Sequence, residues 1–227
     1  MVLGTVLALL PSWLDPQTII GHGGLWLVAS IIFAESGLLF GFFLPGDSLL
    51  FVTGFLASKP EDFPVHISQP LWLVLLVVFI AAVAGDQVGY IFGRVVGPSL
   101  FHRPKSRLFN PDNVTKAHVF FDRHGPKTIV LARFVPIVRT FAPIIAGVAD
   151  MKYRTFTIYN LVGAGLWAVG VTTLGYYLGQ VDFVRKHVEI AAIVIVAISL
   201  IPVALEFVKH KKEAREREPH EPAVSDT

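Results

Sequence analysis

Cysteine is absent from the 227-residue chain. That excludes thiolate zinc centres, iron–sulfur clusters, thiol nucleophiles and disulfides. Charge is scarce: Asp, Glu, Lys and Arg are 16% of residues, where a soluble domain carries about 25%. No Lys or Arg precedes Lys59. The apolar opening, Met1 to Leu10, therefore lacks the basic start of a secretory signal and reads as a retained segment. The eight histidines are scattered, with no His-x-x-x-His spacing of a zinc site, so no metal site is expected. Gly-x-Ser-x-Gly, a phosphate loop ending in Gly-Lys-Ser/Thr and His-Glu-x-x-His are also missing. Neither an enzyme nor a cofactor is expected on these grounds.

What remains is 53% hydrophobic, more than a core of this size must bury, which points to lipid as the solvent for much of the surface. The runs 71–93, 156–179 and 188–208 are long enough to cross about 30 Å of hydrocarbon as helices. Residues 25–57 and 128–149 differ, each being apolar but carrying two charges and a Pro or Gly break. Pro45 and Gly46 interrupt the first, and Pro136 and Pro143 the second. Both segments predict re-entrant helical hairpins facing inward, because broken backbone at membrane depth needs protein or a water-filled cavity to satisfy it. The expected fold is all-α and polytopic, with an interfacial segment 1–24, a membrane domain 25–208 and a charged, disordered tail 209–227.

An internal repeat supports two opposed hairpins. Glu35 and Pro45 each lie 98 positions before Arg133 and Pro143, and Gly-Tyr-x-x-Gly recurs at Gly89–Gly93 and Gly175–Gly179. Residues 94–127 hold seven Lys/Arg, the tail after Val208 holds five and the chain before Leu71 holds one. The positive-inside rule then puts the first hairpin outside and the middle loop, second hairpin and C-terminus in the cytoplasm. Two hairpins entering from opposite faces form the inverted repeat of many transporters. The loop segment 111–125, opened by Pro and closed by Gly, predicts an amphipathic helix along the inner interface, with His124 capping its end. Its basic residues suit anionic headgroups better than nucleic acid.

Gly85, Gly89, Gly93 and Gly97 fall on one helix face, which predicts close helix packing and permits a homodimer. Trp26, Trp72 and Trp167 read as interface or packing residues. The intramembrane charges are the chemical signal, since each costs about 2.5 to 3.5 kcal/mol at the bilayer centre. Glu35 and Asp47 belong to the first hairpin, Arg133 and Arg139 to the second. Two readings are open: the charges only neutralise one another and pin the halves, or they line a midplane site. In the second, arginine forks hold a phosphate or carboxylate while Glu35, with Asp47, exchanges protons. Asp47 could instead cap the helix starting at Ser48. Asp86, near the inner end of a span, suits either a helix–helix hydrogen bond or a second pathway carboxylate.

Several ordered motifs resemble the DedA family of integral membrane proteins, related to the VTT (SNARE-associated) domain of eukaryotic lipid scramblases. They are Phe-Ala-Glu-Ser-Gly with Leu-Pro-Gly-Asp-Ser (Phe33 to Ser48), Gly85 to Arg94, Phe120 to Gly125, Ala132 to Pro143, Ala146–Gly147 and Asn160 to Trp167. The likeness covers residues 25–180. It departs at Asp47, where many members have Glu, and at Ile137, where many have Gly. The resemblance implies opposed re-entrant hairpins and lipid movement across the bilayer, undecaprenyl phosphate and phospholipids being carried by bacterial members. It places the functional acids on Glu35 and Asp47 and the functional arginines on Arg133 and Arg139. The expectation is a proton-coupled flippase of a bacterial cytoplasmic membrane, with lipids and protons as its partners. The rivals are a proton-coupled transporter of a small solute and a structural membrane protein.

Overall fold

The computed structural model describes residues 16–38, 46–59, 67–100, 119, 121 and 125–182, and among these every regular element is helical. Helix α1 (Pro16–Gly37) is kinked at Gly24, whose backbone takes φ 55° and ψ −154°. Helix α2 (Gly46–Ala57) follows, buried along its whole length. Being apolar all round, α2 sits inside the helix assembly, with α1, α3 and α7 against it.

Helix α3 (Leu71–Leu100) starts directly after Pro70, whose carbonyl accepts the N–H groups of Leu73 and Val74. The short α4 (Lys127–Ala132) and α5 (Pro136–Val148) come next. Helices α6 (Tyr153–Ala164) and α7 (Gly170–Leu178) are joined by a π-helical turn, Gly165–Val169, into one rod. Two stretches are long and apolar enough to cross a membrane: Leu71–Gly97 within α3, of 27 residues, and Tyr153–Leu178, of 26. At 1.5 Å per residue each rises about 40 Å, which meets the expectation for the first two spans. The predicted span 188–208, the tail and nearly all of the interfacial segment 111–125 lie outside the described residues, as do Pro45 and His124.

The backbone breaks between α4 and α5 at Arg133–Val135, not at Pro143. Val135 is extended (φ −116°, ψ 107°), as a residue before proline tends to be, and Pro136 opens α5. Pro143 lies inside α5 and the helix runs through it, which corrects the expected break there. Its missing N–H leaves the carbonyl of Arg139 without the usual i+4 donor. Gly46 begins α2, at the predicted interruption.

The glycine stripe of α3 does bring helices together. A Cβ on Gly85 would overlap the backbone of Phe33 and approach Gly37 of α1, while one on Gly93 would overlap the Ile144 carbonyl of α5. The second Gly-Tyr-x-x-Gly copy acts likewise: Gly175 and Gly179 of α7 and its flank press on Phe51 and Phe55 of α2. The first copy thus packs on α5 and the second on α2. Opposite the stripe, Leu76, Ile80, Val88, Ile91 and Val95 stay exposed at helical spacing. In water that apolar face would be a liability, and in hydrocarbon it is not.

Candidate functional site

Arg139 stands near the start of α5, where Pro136 sets the helix direction. Its Nη1 donates to Asp47 Oδ1 at 2.6 Å and its Nη2 donates to Glu35 Oε1. Glu35 comes from the end of α1 and Asp47 from the first turn of α2, so one guanidinium fork joins these two helices to α5. Glu35 is 1% exposed and Asp47 8%. The second carboxylate oxygen of Glu35, Oε2, has no side-chain hydrogen-bond partner among the described residues and rests against the backbone of Gly46.

Arg133 makes a separate cluster. Its Nη2 donates to Asp86 Oδ2 and to Asn160 Oδ1 at 2.7 Å, with the Ala82 carbonyl at 3.4 Å. Asn160 is itself anchored by donating to the Val83 carbonyl at 3.3 Å. The arginine stem packs over Gly163, where a Cβ would come 3.0 Å from Arg133 Cδ. Asp86 is therefore the ion-pair partner of Arg133, joining α3 to the α4–α5 turn.

Trp167, in the π turn, links the two clusters. Its indole N–H donates to Asp47 Oδ1 at 2.7 Å, and its ring centroid lies 4.6 Å from Arg139 Cζ and 5.7 Å from Arg133 Cζ. These distances suit cation–π contact. A single π turn in an otherwise α-helical rod often marks a functional position, and here it carries the residue between both arginines. Trp26 and Trp72, by contrast, are exposed.

The sequence-predicted residues Glu35, Asp47, Asp86, Arg133 and Arg139 thus come together, though in two groups. Asn160 and Trp167 were not foreseen as partners. An Asn and a Trp in apolar surroundings are a recognisable signal, because each buried polar group needs a partner. The charge sum also changes. With all five groups ionised, three carboxylates against two guanidiniums leave one surplus negative charge, where the sequence suggested balance. Oxygen and nitrogen donors without a His, Cys or further acid cluster hold no candidate metal site among the described residues.

The VTT domain family model matches residues 44–177, a stretch that takes in every residue of both clusters except Glu35. The chain is 42% identical over 200 residues to Protein DedA of Escherichia coli, covering 86% of this chain and 89% of the relative. It is 44% identical over 206 residues to the uncharacterized membrane protein Rv0364 of Mycobacterium tuberculosis, covering 88% of each. It is 36% identical over 163 residues to the inner membrane protein YqjA of Escherichia coli, covering 69% of this chain and 68% of that one. None of these names describes an enzyme. No solved structure matches the chain.

Proposed function

Because this chain belongs to the DedA family of VTT-domain membrane proteins, we propose that it moves a phosphorylated lipid across a bacterial cytoplasmic membrane, with undecaprenyl phosphate as the preferred substrate. The observation that carries the reading is the largely enclosed Arg139 fork, its side chain 10% exposed, held by two carboxylates from the opposing repeat. An arginine fork matches a phosphate monoester as well as a carboxylate. An incoming headgroup can therefore take the place of an acid already bound there, and Arg133 adds a second positive charge on the far side of Trp167's reach.

The pairs α1/α2 and α4/α5 act as re-entrant hairpins entering from opposite faces, with the C-terminus cytoplasmic. Charge accounts for the coupling. With all five groups ionised the site sums to minus one, and a phosphate makes it more negative in a medium of low dielectric. Taking up a proton on the acid that the phosphate displaces, or on Glu35, restores balance, so inward proton movement can drive the lipid. The isoprenoid chain stays in hydrocarbon beside the hairpins, which removes the need for a deep aqueous vestibule.

The test is translocation of undecaprenyl phosphate by purified protein in liposomes. Wild type should move it while folded Arg139→Ala and Glu35→Gln proteins should not. Absence of both binding and movement by wild type would overturn the substrate. For Arg133 a structural role is also favoured by its Nη2 contacts to Asp86, Asn160 and the Ala82 carbonyl, while its Nε is left without a partner among the described residues.

A further inference from the structure

Asp47 Oδ1 is a shared acceptor. One oxygen takes a hydrogen bond from the Arg139 cation and another from the neutral indole of Trp167. The two donors differ in what can happen to them. An anion can compete for the guanidinium, but it gains little from an indole N–H that already has an ionised partner.

For a phosphate to seat on Arg139, a carboxylate must release it. A buried carboxylate left with no donor bears its full desolvation cost, so the acid that yields most easily is the one that keeps a donor. Asp47 keeps Trp167. Glu35 has no side-chain donor in reserve, because Arg139 holds Oε1 and Oε2 has only the Gly46 backbone beside it. The indole face, 4.6 Å from Arg139 Cζ, also keeps the guanidinium in place while its ligands change.

We infer that Trp167 is a positioning residue for anion exchange at Arg139: it retains Asp47 when that carboxylate gives up the guanidinium to a phosphate. The inference rests on the phosphate-carrier reading and adds the identity of the acid that moves and of the group that receives it. The remaining charged groups near this exchange are Glu35 of α1, Arg133 of the α4–α5 turn and Asp86 of α3. Arg133, the one cation among them, donates to Asp86, Asn160 and the Ala82 carbonyl.

The experiment uses full-length protein in phosphatidylcholine nanodiscs, with a prenyl monophosphate as one probe and inorganic phosphate as the other. Trp167→Phe keeps an aromatic face and removes the N–H. It should weaken binding of the prenyl monophosphate about tenfold, the worth of one hydrogen bond to a charged group. In an Asp47→Asn background the same change should cost less than about twofold, since the carboxylate to be retained is gone. A merely structural Trp167 would lose the same amount in both backgrounds, and that result overturns the inference. A second readout needs no change at Trp167. With Trp13, Trp26 and Trp72 replaced by Phe, the emission of Trp167 should shift when the probe saturates the site. Probe binding with unmoved emission overturns the inference and leaves the carrier reading standing. Failure of wild type to bind either probe overturns the carrier reading, and the inference falls with it. Uptake of inorganic phosphate alone retains the exchange but reassigns the substrate to a soluble anion.

Discussion

The carboxylate of Glu35 occupies the space that a side chain on Gly46 would fill. The acid at the end of one helix is thus seated on the first residue of the next, and the missing side chain at Gly46 leaves Glu35 room to reach Arg139.

Gly46→Ala should therefore displace Glu35 and lower stability by about 1 to 3 kcal/mol, the usual cost of overpacking. Thermal unfolding in detergent measures it. In a Glu35→Ala background the penalty at Gly46 should fall below about 1 kcal/mol, because the obstructing carboxylate is gone.

Glycines of similar composition should differ sharply. Gly175→Ala pushes a methyl group into the Phe51 carbonyl of α2 and should destabilise by about 1 to 3 kcal/mol. Gly170→Ala meets nothing within 4 Å and lies in helical backbone. It should gain up to about 1 kcal/mol from helix propensity. Equal effects of the two in unfolding experiments would contradict the described α2–α7 packing.

Removing one member of the Arg133–Asp86 pair should be costly. Asp86→Ala leaves a buried guanidinium with Asn160 and a distant carbonyl as its remaining acceptors, and loss of one partner of a buried pair costs about 3 to 5 kcal/mol. Replacing both, as Arg133→Met with Asp86→Leu, should recover most of the stability. Lipid movement in the double variant then reports whether Arg133 binds substrate or only holds the fold.

Phosphate binding should strengthen as pH falls. With all five groups ionised, the site carries a surplus negative charge before the anion arrives, and on the carrier reading the complex then binds more protons than the empty protein. By linkage, a state that takes up protons is favoured at lower pH. Titration of prenyl monophosphate binding between about pH 6 and 8, around the physiological range, should show this slope in wild type and a much flatter one in Glu35→Gln. A slope of opposite sign would show proton release and overturn the coupling.

Much of this was legible along the chain because it depends on local composition. Apolar runs of sufficient length, the Pro and Gly interruptions and the four-residue glycine spacing all act within a few turns of backbone. Intramembrane charge was legible too, since Glu35, Asp47, Asp86, Arg133 and Arg139 stand out against apolar neighbours. Pro143 misled for a related reason: it lacks a donor, which weakens a helix, but a packed helix can run through it.

By itself, then, the sequence determined the solvent this protein is built for and which side chains would need partners there. Burial in a low-dielectric medium penalises every unpartnered charge, whatever the topology. Only the tertiary structure decided who the partners are. Arg139 meets Glu35 across 104 positions and Asp47 across 92, Arg133 meets Asp86 across 47, and Trp167 meets Asp47 across 120. Those pairings depend on the depth and rotation of one helix relative to another. Carbonyl-to-glycine contacts between helices set both, and no single stretch of sequence contains them.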